Sequence, residues 1–91
     1  MDIIKIAGID YNIALKSSEE MGGLIGTADF NRQLISINKE HTEQTKRIAL
    51  FHEILHLLSD AYGLELTEQQ VKIGTHAFIA FVEDNQKLLN Y

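Results

Sequence analysis

LFHEILHLL, residues 50–58, sets two histidines and a glutamate inside an otherwise apolar run. The run contains the motif HExxH, with His52 and His56 four residues apart. Four residues of α-helix advance about 6 Å and turn about 400°, so both imidazoles lie on one face and can reach a single metal ion. Glu53 lies about 100° round the axis, beside that ion. This arrangement suits a hydrolytic zinc site, with two neutral imidazoles as ligands, a carboxylate as general base and a coordination position left for water.

The residues around the motif favour a helix with one buried face. Ser59 and Asp60 continue the strip that carries the histidines. A broad arc on the opposite side is apolar and consists of Leu50, Phe51, Ile54, Leu55, Leu57 and Leu58. We therefore expect the histidines to face a cleft. The alternative is a pair of core histidines bonded to local carbonyls, but His52 and His56 avoid the apolar arc and have an acid beside them.

Length and composition narrow the class of protein. The 91 residues predict one domain, residues 1–91, and the absence of cysteine excludes disulfides, thiolate ligands and a finger-type zinc site. A net charge of −5 without a basic run argues against direct binding to nucleic acid. The sequence has neither the pattern of a signal peptide nor a stretch approaching a membrane span, so we expect a cytoplasmic protein with no membrane partner.

The first part of the chain alternates apolar and polar residues, as strands do. The last two of four predicted strands form a hairpin. We expect a three- or four-stranded, mostly antiparallel sheet. The predicted strands are Asp2–Ala7, Ile9–Leu15, Leu24–Ala28 and Gln33–Asn38.

Two helices follow the predicted sheet. Thr42 is a candidate N-cap and Gly63 a candidate stop for the helix that carries the motif. Thr67 and Gln70 resemble a capping box at the start of the second helix. Strands followed by helices are the order of an α+β fold. The predicted helices cover about residues 42–62 and 67–85, and the buried stripe of the second consists of Val71, Gly74, Ala77, Phe78, Phe81 and Val82.

A catalytic zinc site needs a third protein ligand besides the two histidines. Tyr62 occupies the position, six residues past the motif, where one class of zinc protease has a histidine. We therefore expect the ligand on the next helix, as in the class that uses a glutamate there. Glu68 is the first choice, because the short connection of residues 63–66 brings it back toward the motif. An acid in the first turn of a helix also has an ordinary explanation in the helix dipole.

Other residues remain candidates for the site. His76, two turns further on, is a rival third ligand or else a solvated surface residue, and Glu65 lies in the connection. Asp60, one turn past His56, is either a partner that orients a ligand imidazole or a solvated acid. Nothing in the spacing selects among three tyrosines whose phenols could stabilise an oxyanion, Tyr11, Tyr62 and Tyr91.

Residues spread over most of the chain from about Gly23 onward point to one family. They are TKRIALFHEILHLL at 45–58, Gly63-Leu64, Glu68, Val71 and FVEDN at 81–85, preceded by GTAD at 26–29 and LISI at 34–37. The chain thereby resembles the small phage and prophage members of the ImmA/IrrE group of zincin-like metallopeptidases. The resemblance implies a minimal zincin-like fold, a zinc ion on His52 and His56, Glu53 as base and Glu68 as third ligand. Larger members of the group cleave repressor proteins.

The resulting hypothesis is a zinc-dependent endopeptidase that acts on an intracellular phage or host regulatory protein. The substrate would lie extended along an edge strand, either Leu24–Ala28 or Gln33–Asn38. A partner protein that presents the substrate is one option, because so small a domain has little surface for substrate choice. Two alternatives stay open: a metal-binding zincin-fold protein that has lost turnover and serves a partner, and a structural protein with exposed histidines and no metal.

Overall fold

The computed structural model describes residues 2–90 and contains a four-stranded sheet followed by two α-helices. The α+β class is as predicted, and each strand and helix boundary lies within two residues of the predicted one. A short 3₁₀ helix, Gln86–Asn90, follows the second α-helix. The elements are β1 (Asp2–Ile6), β2 (Ile9–Lys16), β3 (Gly26–Asp29), β4 (Leu34–Asn38), α1 (Glu43–Tyr62) and α2 (Glu68–Asp84).

The sheet is mixed, with strand order β1-β2-β4-β3. The pair β3–β4 is antiparallel, as the predicted hairpin requires, and β1–β2 is antiparallel as well. The strands β2 and β4 are parallel, from Asn12 opposite Leu34 to Lys16 opposite Asn38. The chain leaves β2, passes the end of β4 and forms β3 on its far side. This crossover makes β3 an edge strand and β4 an interior strand within the described chain.

Asn38, at the end of β4, holds the crossover in place. Its side chain is fully buried, and its Nδ2 donates hydrogen bonds to the Ser18 hydroxyl and to the Leu24 carbonyl, both at 3.1 Å. Its Oδ1 accepts a hydrogen bond from the Glu40 N–H at 2.9 Å, and its own N–H donates to the Ile25 carbonyl at 2.8 Å. The backbone of Leu24 and Ile25 is therefore fixed just before β3 begins.

The core lies between the sheet and α1. The helix begins after Thr42, whose hydroxyl accepts a hydrogen bond from the Thr45 N–H, and it ends at Gly63 in the left-handed conformation. Its apolar back packs on the sheet, as the sequence predicted, and the two histidines on the other side stay half-buried. The buried core residues are Ile6, Tyr11, Ile35, Ile37, Ala49 and Leu57.

The predicted buried stripe of α2 is partly wrong. Val71 is fully buried, but Phe78 and Phe81 are 56% and 54% exposed, and Ala77 is exposed as well. Gly74 and Val82 are half-buried, and Thr75 takes a fully covered position. The reason is that α2 packs mainly against α1 and not on the sheet. One helix packed against another covers only a narrow strip of its surface.

The capping box at the start of α2 is confirmed. The Thr67 hydroxyl accepts a hydrogen bond from the Gln70 N–H, and the Gln70 side chain accepts one from the Thr67 N–H. Neither helix of residues 2–90 has the length and apolar character needed to cross a membrane.

Candidate metal centre

His52 and His56 lie on successive turns of α1. Their Nε2 atoms are 3.2 Å apart and their rings meet edge to face, with centroids 4.9 Å apart. Both side chains are half-buried. The four-residue spacing thus directs both Nε2 atoms to one point in front of the helix, as helical geometry requires.

Glu68, in the first turn of α2, meets both imidazoles. Its Oε1 lies 2.7 Å from His52 Nε2, and its Oε2 lies 2.8 Å from His56 Nε2. Among the described residues these three form the one group of histidines and acids whose ligand atoms converge, all within 4.8 Å of one another. The rival candidates lie elsewhere: His76 is exposed further along α2, and Glu65 is exposed in the connection.

The donor set fits a zinc ion. Two ligand atoms of a tetrahedral zinc site with bonds of 2.0–2.1 Å are about 3.3 Å apart. The 3.2 Å between the two Nε2 atoms matches this separation. The Glu68 oxygens are closer to the imidazoles, at the distance of a charge-assisted hydrogen bond, but that side chain is 69% exposed and has room to adjust.

Ser59 fixes the connection that returns the chain to the site. Its side chain is buried, 5% exposed, and its hydroxyl accepts a hydrogen bond from the Leu66 N–H at 3.0 Å. Its carbonyl accepts hydrogen bonds from the N–H groups of Gly63 and Leu64 at the end of α1. Ser59 therefore holds both ends of the connection, and the second of these, Leu66, lies two residues before Glu68.

The sequence places Ser59 only on the strip that carries the histidines, and this contribution was therefore not predicted. A signal was present. Gly63 follows Ser59 by four residues, which is the spacing of the carbonyl that a left-handed cap N–H contacts. The connection of residues 63–66 is short and must pass close to Ser59. Its backbone N–H groups are therefore the nearest donors for the Ser59 hydroxyl.

Glu53 lines the cleft next to the three convergent residues. Its Oε2 is buried and has no hydrogen-bond partner within residues 2–90. Burial raises the pKa of Glu53, the imidazoles of His52 and His56 lower it and the Glu68 carboxylate raises it, with a net shift upward from 4.5. A carboxylate oxygen that lacks a donor is suited to accept the proton of a water molecule, which is the task of a general base.

The site lies in a cleft of about 620 Å³ between α1 and the start of β3. Gly26 lets the strand approach the helix: a Cβ atom there would lie 3.3 Å from the Ala49 Cβ and 3.4 Å from the Glu53 Cγ. Besides His52, Glu53, His56 and Glu68, the lining residues are Gly23, Leu24, Ile25, Gly26, Thr45, Ile48 and Ala49.

Within residues 2–90, only β3 of the two strands predicted to receive a substrate borders this cleft with an unpaired edge. Gln33–Asn38 is wrong as an edge, because β4 lies between β2 and β3. Just before β3, the Ile25 carbonyl accepts a hydrogen bond from the Asn38 N–H. Because antiparallel residues alternate between facing the partner strand and facing away from it, the backbone groups of Gly26 and Ala28 point outward.

The remaining candidates do not join the site. Asp60 is exposed and, in the described part of the chain, makes no hydrogen bond to either imidazole. Tyr11 is 2% exposed in the core, Tyr62 is 65% exposed near the end of α1, and Tyr91 lies outside the described residues.

Comparisons of the chain with models of protein families, with curated proteins and with solved structures give no match. The resemblance to the ImmA/IrrE group therefore stays a prediction from the sequence. Support for a function comes from the geometry of His52, Glu53, His56 and Glu68 and from the cleft around them.

Proposed function

We propose that this protein is a zinc-dependent endopeptidase with a minimal zincin-like fold, related to the small phage members of the ImmA/IrrE group. One observation carries the proposal: a glutamate from α2 meets both histidines of an HExxH helix, with its two oxygens 2.7 and 2.8 Å from their Nε2 atoms. Two imidazoles and one carboxylate are a known ligand set of catalytic zinc.

His52, His56 and Glu68 would hold the ion. Bound zinc supplies Lewis acidity, which brings the pKa of water toward about 7 and polarises a carbonyl. Glu53 takes a proton from the attacking water on its carboxylate and delivers it to the leaving amine. The raised pKa of Glu53 favours the first transfer, because a more basic carboxylate accepts the proton of water more readily.

The substrate would be an extended peptide segment. The outward N–H and C=O groups of Gly26 and Ala28 offer main-chain pairing at the edge of β3, on the border of the cleft. Pairing at this edge brings the peptide backbone close to Glu53, whose Cγ lies against Gly26. We propose a cytoplasmic regulatory protein as the natural substrate, by analogy with the group that the sequence resembles.

The test begins with elemental analysis of the zinc-reloaded protein. We expect about one zinc per chain in the natural sequence and in His76→Ala, and a loss of zinc in Glu68→Ala. The Glu53→Gln protein should keep its zinc and lose cleavage of an unfolded, fluorescently quenched polypeptide. A natural protein that takes up no zinc, or a Glu53→Gln variant with unchanged cleavage, would contradict the proposal.

A second candidate function is a zinc-binding interaction protein without turnover. The observation in its favour is the outer face of α2, where Ile73 and Phe81 are 60% and 54% exposed. This candidate also predicts one zinc per chain. It differs in predicting no cleavage by the natural protein and unchanged partner binding in Glu53→Gln.

A further inference from the structure

We propose that the cleft contains an apolar subsite for one side chain of the substrate, so that the protein selects segments with a large aliphatic or aromatic residue beside the reacting bond. This inference rests on the proposed function and adds a substrate class to it. Leu24 and Ile25 form one wall of the subsite, and Ile48 and Ala49 form the other.

The two walls present apolar surface within the cleft of the candidate metal centre. Leu24 is 57% exposed and Ile25 is 41% exposed, and both line the same cleft as His52 and Glu53. Ile48 lies one helical turn before His52 and is only half-buried. A substrate side chain placed between these walls would remove apolar surface from water on both sides, which is the main source of affinity in such pockets.

The first wall is held by an ordered backbone. Asn38 bonds the carbonyls of both Leu24 and Ile25, and it is itself fully buried. The backbone that carries these two exposed side chains is thus fixed before a substrate binds. Binding to a preformed subsite avoids part of the entropy cost of ordering the protein.

The charge of the cleft argues against other side-chain classes. Among the described residues that line it there is no lysine or arginine, and the acids are Glu53 and Glu68. An acidic side chain would therefore find no lysine or arginine to pair with. A basic side chain would find no acid on either wall, because the four wall residues are all apolar. The apolar class is the one that these walls favour.

An extended peptide presents one side chain to this subsite at a time. Side chains of a strand alternate between its two faces, so a peptide paired with Gly26 and Ala28 directs every second residue toward α1. We therefore expect selectivity at one position of the peptide and tolerance at its two neighbours.

The experiment uses zinc-loaded Glu53→Gln protein, which binds without turnover. Blocked peptides that differ at one central residue, Leu, Asp or Lys, are titrated while backbone amide signals are recorded by NMR. Leu24→Ser and Ile25→Ser remove the first wall one residue at a time. Ile3→Ser is the matched control, because Ile3 is 66% exposed on β1, at the other edge of the sheet.

We expect the Leu peptide to bind at least about tenfold more tightly than the Asp and Lys peptides, with signal changes at Leu24, Ile25 and Ile48. Leu24→Ser and Ile25→Ser should lose this preference, and Ile3→Ser should keep it. Equal binding of the three peptides would overturn the proposal. So would changes confined to α2, or concentration-dependent changes without peptide, which would assign these residues to contact with a second copy.

The same titration without zinc separates this inference from the proposed function. If the protein takes up zinc but binds the three peptides equally, the subsite is contradicted and the enzyme hypothesis stands. If the protein never takes up zinc but binds the Leu peptide most tightly, with signal changes at Leu24 and Ile25, the subsite stands as a peptide-binding site. The enzyme hypothesis is then contradicted.

Discussion

The Ser59 hydroxyl accepts a hydrogen bond from the Leu66 N–H at 3.0 Å and so ties the last turn of α1 to the residue that precedes the N-cap of α2. This bond fixes the path of the chain two residues before Glu68. Among the described residues Ser59 makes no hydrogen bond to either imidazole, so it positions the third candidate ligand through the backbone of the connection.

Ser59→Ala should weaken zinc binding by about tenfold. Losses of this size are typical when a residue that orients a metal ligand is removed. The substitution leaves the Leu66 N–H without its acceptor and frees the connection that positions Glu68. Competition with a chromogenic chelator measures the affinity. Ser59→Thr keeps a hydroxyl and should restore much of it.

The matched control for this prediction is Ser36→Ala. Ser36 is also buried, 4% exposed, but it lies on β4 and away from the connection. It should change stability without changing zinc affinity. If Ser59→Ala binds zinc as tightly as the natural protein, then Ser59 does not position Glu68.

Chelation should lower the melting temperature of the natural protein. A ligand at a free concentration one thousand times its Kd stabilises the folded state by about 4 kcal/mol. In a domain of this size each kcal/mol corresponds to about 4–8 °C, so we expect a decrease of more than about 10 °C. Differential scanning calorimetry with and without EDTA gives the value. Glu68→Ala should show almost none of this decrease, and an unchanged natural protein would favour the structural, metal-free alternative.

The sequence predicted the elements well because their signals are local. Thr42 and Gly63 mark the ends of α1, and Thr67 and Gln70 mark the start of α2. A period-two pattern marks β1 and β2, and the turn signal at residues 29–32 marks the hairpin of β3 and β4. Each of these signals acts within about four residues. The same holds for the convergence of His52 and His56, which follows from helical geometry alone.

Which elements pair or pack together could not be predicted from signals that are local in the sequence. The parallel β2–β4 pair depends on a crossover that Asn38 fixes by bonds to residues 14 and 20 positions away. A period-two pattern does not specify which strand pairs with which. For α2, the periodicity shows which residues are apolar but not how wide a strip its neighbour covers, and packing mainly against α1 leaves Phe81 exposed.

Glu53→Gln should stabilise the zinc-free protein at neutral pH. Burial raises the pKa of Glu53 in the folded state, so from about pH 4.5 upward the folded state binds more protons than the unfolded state. The stability of the natural protein therefore falls as the pH rises through that folded pKa. Glutamine carries no such proton, and its advantage should disappear below pH 4.5. Urea unfolding with a chelator, at several pH values, measures the difference.

Glu43→Gln provides the control of opposite sign. Hydrogen bonding to Lys46 lowers the pKa of Glu43, which is fully exposed in the first turn of α1. The stabilisation from Glu43 is present above its unfolded value of 4.5 and is lost as the pH falls, so this variant should not gain stability at neutral pH. A Glu53→Gln protein that is no more stable than the natural one would show that the carboxylate is not held in a desolvated position.

Gly26→Ala should reduce turnover and leave zinc binding intact. The new Cβ would lie 3.3 Å from the Ala49 Cβ and 3.4 Å from the Glu53 Cγ, so β3 must move outward by a few tenths of an ångström, away from the general base. Steady-state kinetics and elemental analysis measure the two effects. Gly74→Ala is the control: its Cβ would meet only the tip of the Leu55 side chain, also at 3.3 Å, which can turn aside. Equal turnover in the two variants would mean that the distance between β3 and Glu53 does not limit the reaction.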